Sequence, residues 1–117
     1  MTVLSLDFDG VLAEYHGYKG RGVFGKPMPG VKQFLERIKK AGIGFVVITT
    51  RKESKLVKEW FVKNDLPLPS KITNQKVSAS AYVDDRGITF TGDFDKLVKD
   101  LRKFTVHWRD KKVFKDL

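Results

Sequence analysis

Apolar and polar positions along this chain follow two different periods in turn. The stretch Val3-Leu4-Ser5-Leu6 is nearly continuous in apolar residues and reads as a buried strand, as does Phe45-Val46-Val47-Ile48. Ala79 to Val83 reads as a third buried strand, and a short one is expected around Lys71-Ile72-Thr73. Between them the spacing becomes helical. Val31, Phe34, Leu35, Ile38 and Ala41 recur on one face of a segment from Gly30 to Ala41, and Leu56, Val57, Trp60 and Phe61 do so from Glu53 to Asn64. Lys39 and Lys40 suit the negative end of the first helix, and Gly42 is its stop. Thr91 or Asp93 caps a last helix with Leu97, Val98 and Leu101 turned inward. Ile88-Thr89-Phe90 reads as a short extended piece, and Phe104, Val106 and Trp108 alternate as in an edge strand.

Strands alternating with helices predict a three-layer α/β/α, Rossmann-like parallel sheet joined by right-handed crossovers. Sites in such sheets lie at the carboxyl ends of the strands. Those ends carry Asp7 and Asp9, then Thr49, Thr50 and Arg51, then Asp84, Asp85 and Arg86. Asp7 and Asp9 stand at alternate positions and are expected on the same face. Residues 13–30 form a long glycine-rich connection with the dimensions of a lid. Tyr15, Tyr18 and Phe24 are expected to pack it down, and Lys19, Arg21 and Lys26 to offer substrate contacts, while His16 either touches substrate or, as loop histidines usually are, is solvated.

A length of 117 residues, with 41% hydrophobic and 32% charged, predicts a single folded domain over 1–117. The absence of cysteine excludes a disulfide scaffold and thiolate metal sites, and makes a cytoplasmic location the expectation. No apolar run approaches the ~18 residues of a membrane span, and the N-terminus lacks the basic region of a signal peptide. The net charge of +9 admits two readings: polyanionic partners such as nucleic acid, or a lysine-rich solvated surface. The segment from Lys96 to Leu117, which includes a basic tail over 104–117, carries eight Lys/Arg and three Asp/Glu.

Four carboxylates on one edge call for a counter-ion, and a hard divalent cation with oxygen ligands, Mg2+, answers this. With no cysteine and only His16 and His107, zinc is disfavoured. Lys76 supplies a cation and Thr49 a hydroxyl, both suited to phosphoryl oxygens. One carboxylate can attack phosphorus while a second acts as general acid and then base. Arg51 either reaches a substrate phosphate or is a surface arginine at a helix entry.

Asp7-Phe8-Asp9-Gly10-Val11-Leu12 resembles the first motif of the haloacid dehalogenase superfamily of aspartyl-phosphate hydrolases, with Val11 where threonine is frequent. Phe45-Val46-Val47-Ile48-Thr49 is similar to its second motif, Lys76 stands where the third motif's lysine is expected, and Tyr82-Val83-Asp84-Asp85 resembles the acidic fourth. The resemblance spans roughly residues 2–95 and rests on four motifs in the family's order. It implies a Mg2+-dependent phosphatase with Asp7 as nucleophile and metal ligand. It further implies Asp9 as general acid/base with its backbone carbonyl on the metal, Thr49 on the phosphate, and Lys76 steadying both nucleophile and phosphate. Asp85 would ligate the metal directly and Asp84 through water.

No stretch is long enough for the family's cap domain. The Gly25-Lys26-Pro27-Met28-Pro29-Gly30 turn is similar to that of small capless members. An open site implies a large or polyanionic phosphorylated substrate, such as a nucleic-acid end or a nucleotide, or a partner serving as lid. The alternative is a catalytically weak module of the same fold that binds polyanions. A receiver-like phospho-acceptor domain does not match the order of the motifs. The sequence leaves the oligomeric state open.

Overall fold

The computed structural model describes residues 2–117. Its elements are β1 (Val3–Asp7), α1 (Val31–Lys40), β2 (Gly44–Ile48), α2 (Ser54–Lys63), β3 (Lys71–Thr73), β4 (Ala81–Val83) and α3 (Phe94–Lys103). The four strands form one parallel sheet in the order β3-β2-β1-β4. This is the α/β, Rossmann-like parallel-sheet class expected from the alternating pattern. The connections over 8–30 and 49–53 hold no helix or strand, so no cap is inserted after β1 or β2. By its contacts the chain divides into two compact units, Met1–Asp84 and Asp85–Leu117. No helix among the described residues is long and apolar enough to cross a membrane.

In the first unit, the steps from β1 to β2 to β3 run in one direction, so right-handed crossovers place α1 and α2 on the same face of the sheet. The packing agrees. Leu6 of β1, Phe8 just past its end, and Phe45 and Val47 of β2 form one cluster with Val31, Leu35 and Ile38 of α1 and Val57, Trp60 and Phe61 of α2. Phe8 is the hub of its rings, edge-on to Phe24 at 5.4 Å and to Trp60 at 4.9 Å between centroids. Phe34, expected on the inner face of α1, is exposed, because the buried stripe of that helix runs through Val31, Leu35 and Ile38 alone.

The return from β3 to β4 differs from the others. Residues 74–80 hold no helix, fewer residues than the dozen or so that a parallel crossover commonly takes. Both strands it joins have only three residues, which shortens the distance to cover. The expectation of a buried strand at Ala79 to Val83 is corrected here: only Ala81–Val83 is strand, and all three residues are exposed. β4 is an edge, paired with β1 alone, so apolar residues stand there without two covered faces.

The second unit holds α3, which Asp93 caps by accepting from the backbone N–H groups of Asp95 at 2.9 Å and Lys96 at 3.3 Å. Ile88-Thr89-Phe90, expected as a short extended piece, belongs to no helix or strand. One expected strand is absent: Phe104 to Trp108 contains only an isolated bridge between Val106 and Arg109. The chain turns back within three residues there, and the apolar alternation reports burial of Val106, not a ladder.

Candidate active site

Register brings the acidic residues together. Leu6 pairs with Val83, so Asp7 at the end of β1 is level with Asp84 just past β4. Their carboxylates each bring an oxygen within 4.8 Å of the other. Asp85, one peptide bond further on, completes an aspartate-rich cluster of three. The Asp7 carboxylate is oriented by its own neighbour: Oδ1 accepts the Phe8 backbone N–H at 2.9 Å.

After Asp7 the chain leaves the sheet abruptly. The Phe8 carbonyl accepts from the N–H groups of Leu12 at 2.9 Å and Ala13 at 3.0 Å, and Gly10 sits at φ 85°, a conformation open to glycine. Asp9 therefore lies in a turn, and its carboxylate serves a different partner from that of Asp7. Arg51 Nε–H donates to Asp9 Oδ2 at 2.8 Å and Nη2 donates to Oδ1 at 3.1 Å, a bidentate pair. β1 stops at Asp7, so the two aspartates are not alternate residues of one strand, and the cluster that Asp7 forms with Asp84 and Asp85 does not include Asp9.

Arg51 is not a surface arginine. It is 7% exposed, and its remaining bonds run to the loop: Nη2 to the Val23 carbonyl at 3.1 Å and Nη1 to the Gly20 carbonyl at 3.4 Å. The guanidinium carbon lies 4.5 Å from the ring centre of Phe24 and 5.3 Å from that of Tyr18. Beside it, Thr49 is buried, and its hydroxyl accepts the Arg51 backbone N–H at 3.1 Å, tightening the turn that ends β2. Thr50 is exposed. Lys76 stands in the β3–β4 crossover with its ammonium 4.8 Å from the ring centre of Tyr82, and among the described residues it forms no ion pair.

The 13–30 connection is a closed hairpin, not a free lid. Its ends pair through the Glu14 N–H to Lys26 carbonyl bond at 2.9 Å and the Met28 N–H to Leu12 carbonyl bond at 2.8 Å. At Gly25 the strands press together so closely that a Cβ would fall 1.9 Å from the Glu14 carbonyl oxygen. Trp60 of α2 donates its indole N–H to the Gly25 carbonyl at 2.9 Å. A cavity of about 200 Å³ opens beside the hairpin, lined by Glu14, Tyr15, His16 and Lys19 among others, with Arg51 in its wall. Tyr15 and Phe24 are partly buried, whereas Tyr18 is exposed.

Within the second unit, Trp108 donates its indole N–H to Asp85 Oδ2 at 2.6 Å. Arg86 and Arg109 each bring a guanidinium carbon to the Trp108 ring, at 5.3 and 5.2 Å from its centre. Neither the Trp108–Asp85 bond nor the Asp9–Arg51 pair was anticipated from the sequence, where the partners stand 23 and 42 residues apart. The signal for Arg51 was its place two residues after Thr49, at the same sheet edge as Asp9.

The donor set of the cluster is all carboxylate oxygen, which fits a hard divalent cation and no soft one. In class, then, the chain is a small α/β protein with a parallel sheet and an aspartate-rich cluster at its carboxyl edge, in keeping with a Rossmann-like fold of the haloacid dehalogenase type. No family model, no curated protein and no solved structure matches it.

Proposed function

We propose that this chain is a capless, Mg2+-dependent phosphomonoester hydrolase of the haloacid dehalogenase superfamily that acts through a phosphoaspartate at Asp7. The observation that carries this reading is the meeting of Asp7 with Asp84 and the adjoining Asp85 at the carboxyl edge of β1 and β4. Asp7 attacks phosphorus, the bond to the leaving oxygen breaks, and Asp9 gives that oxygen a proton. Asp9 then takes a proton from the water that cleaves the acyl phosphate. Asp7 and Asp85 would hold the cation directly, with Asp84 and the Asp9 backbone carbonyl completing its surroundings, and the cation would neutralise phosphoryl charge. Thr49, Thr50 and Lys76 are the phosphate contacts in this reading. Without a cap, the edge is open to a large or polyanionic substrate, and the net charge of +9 favours a nucleic-acid end or a nucleotide.

The test is turnover of an aryl phosphate with Mg2+, wild type against Asp7→Asn. The expected loss is at least about 10³-fold, since the nucleophile itself is removed. Equal rates for the two proteins across a panel of nucleotides, oligonucleotide phosphates and phosphopeptides would sink the hydrolase reading. One observation favours the weaker alternative, a polyanion-binding module: both Asp9 oxygens are taken by Arg51. That module would bind oligonucleotides in a salt-dependent way while lacking turnover in the same panel.

A further inference from the structure

Arg51 touches three segments that are far apart in sequence. Its backbone follows β2, its fork closes on Asp9 in the turn after β1, and its Nη1 and Nη2 groups also reach carbonyls of the hairpin tip, where the rings of Tyr18 and Phe24 lie against the guanidinium. Its side chain is 4% exposed and that of Asp9 18%, so this is a pair largely removed from water. A buried bidentate pair is costly to leave half-made, because the surviving charge keeps no partner. At the hairpin tip Tyr18, Arg21, Gly22 and Val23 are exposed, and other ties of the 15–25 segment include an Arg21–Glu53 ion pair at 3.6 Å, the Trp60–Gly25 bond and the Phe24 ring contact.

We propose that Arg51 is a latch: a positioning residue that makes the placement of Asp9 depend on the seating of hairpin residues 15–25, and not a ligand for the substrate phosphate. Seated, the carbonyls of Gly20 and Val23 aim the guanidinium at Asp9. Lifted, the hairpin removes two acceptors and two ring contacts from Arg51, and Asp9 loses the fork that fixes both its oxygens. Lysine cannot replace this arrangement, since a point-like ammonium has neither the planar fork nor the stacking face.

The coupling is measured by hydrogen exchange in the peptide covering residues 15–25, with α1 as internal control, in wild type, Arg51→Lys, Arg51→Met and Asp9→Ala. Local opening sets the exchange rate, so all three variants should exchange at least about tenfold faster in 15–25 and at an unchanged rate in α1. Unchanged exchange in the Arg51 variants, or acceleration in them but not in Asp9→Ala, would overturn the latch. The kinetic arm rests on the hydrolase reading. Arg51→Lys should lower kcat about tenfold or more with KM within about twofold, whereas a raised KM at unchanged kcat would make Arg51 a substrate ligand and overturn the proposal. Absence of turnover in the wild type would remove the hydrolase reading alone, and the exchange measurement would then decide the latch by itself.

Discussion

Helices α2 and α3 are each ten residues long, and they are held by different forces. α2 buries Val57, Trp60 and Phe61, yet its N-cap residue Glu53 makes no side-chain cap bond and its first turn holds no acidic residue. α3 buries no residue, yet Asp93 caps it twice, Asp95 stands in its first turn, and Arg102 and Lys103 close its last. α1 sides with α2, with three buried residues and an uncapped start at Gly30. Where packing supplies the stability, local signals are dispensable; where it does not, they carry the helix. The contrast also separates the function-bearing parts, since α2 anchors the hairpin while α3 follows the aspartate pair along the chain.

The widest gap between the two helices should appear on truncation. Trp60→Ala removes a buried ring that contacts Phe8 and Phe61 and an indole bond to the hairpin, so a loss of about 3–5 kcal/mol is expected by urea unfolding. Leu101→Ala on half-buried α3 should cost no more than about 1 kcal/mol. Equal losses would break the comparison. Next in size is Gly25→Ala. Its methyl group would collide with the backbone of Glu14, which cannot swing aside as a side chain can, so about 2–4 kcal/mol is expected. An NMR shift of the Trp60 indole N–H, which bonds the Gly25 carbonyl, would show that the damage is at the hairpin. Asp93→Ala should follow at about 1 kcal/mol, seen as fraying of α3 in hydrogen exchange with α2 unaffected.

The same division explains what could be read from the chain. β1, α1, β2 and α2 were legible to within one or two residues, because their apolar positions repeat with the period of the element they build. Asp93 was legible as a cap for a chemical reason, and Asp7 with Asp84 and Asp85 because parallel strands deliver their ends to one edge. β4 was misread as buried, since Ala-Tyr-Val is the same string whether a strand is central or at an edge. The tail was misread as a strand because Phe104, Val106 and Trp108 alternate while the backbone turns. Arg51 was open to two readings because an arginine's destination is fixed by what folds over it, here Phe24 and the carbonyls of Gly20 and Val23.

The smallest effect probes α3 most directly. Its surface pair joins Lys96 to Asp100 at 2.8 Å, with the cation toward the N-terminus, the less favourable order for an i,i+4 pair. Lys96 is also the third residue of the helix, the position from which a glutamate could reach back to the N–H of the capping residue. Exchanging the charges, Lys96→Glu with Asp100→Lys, keeps the net charge and the pairing. It reverses both charges against the helix dipole and offers Asp93 a reciprocal partner. A gain of about 0.5–1 kcal/mol in α3 is expected, shrinking in high salt because the pair is exposed. The analogous exchange of dipole-facing charge on α2, Lys55→Glu with Lys63 retained, should change its stability by less than half of that. Burial of Val57, Trp60 and Phe61 already holds that helix closed against fraying, so a local term has little left to prevent.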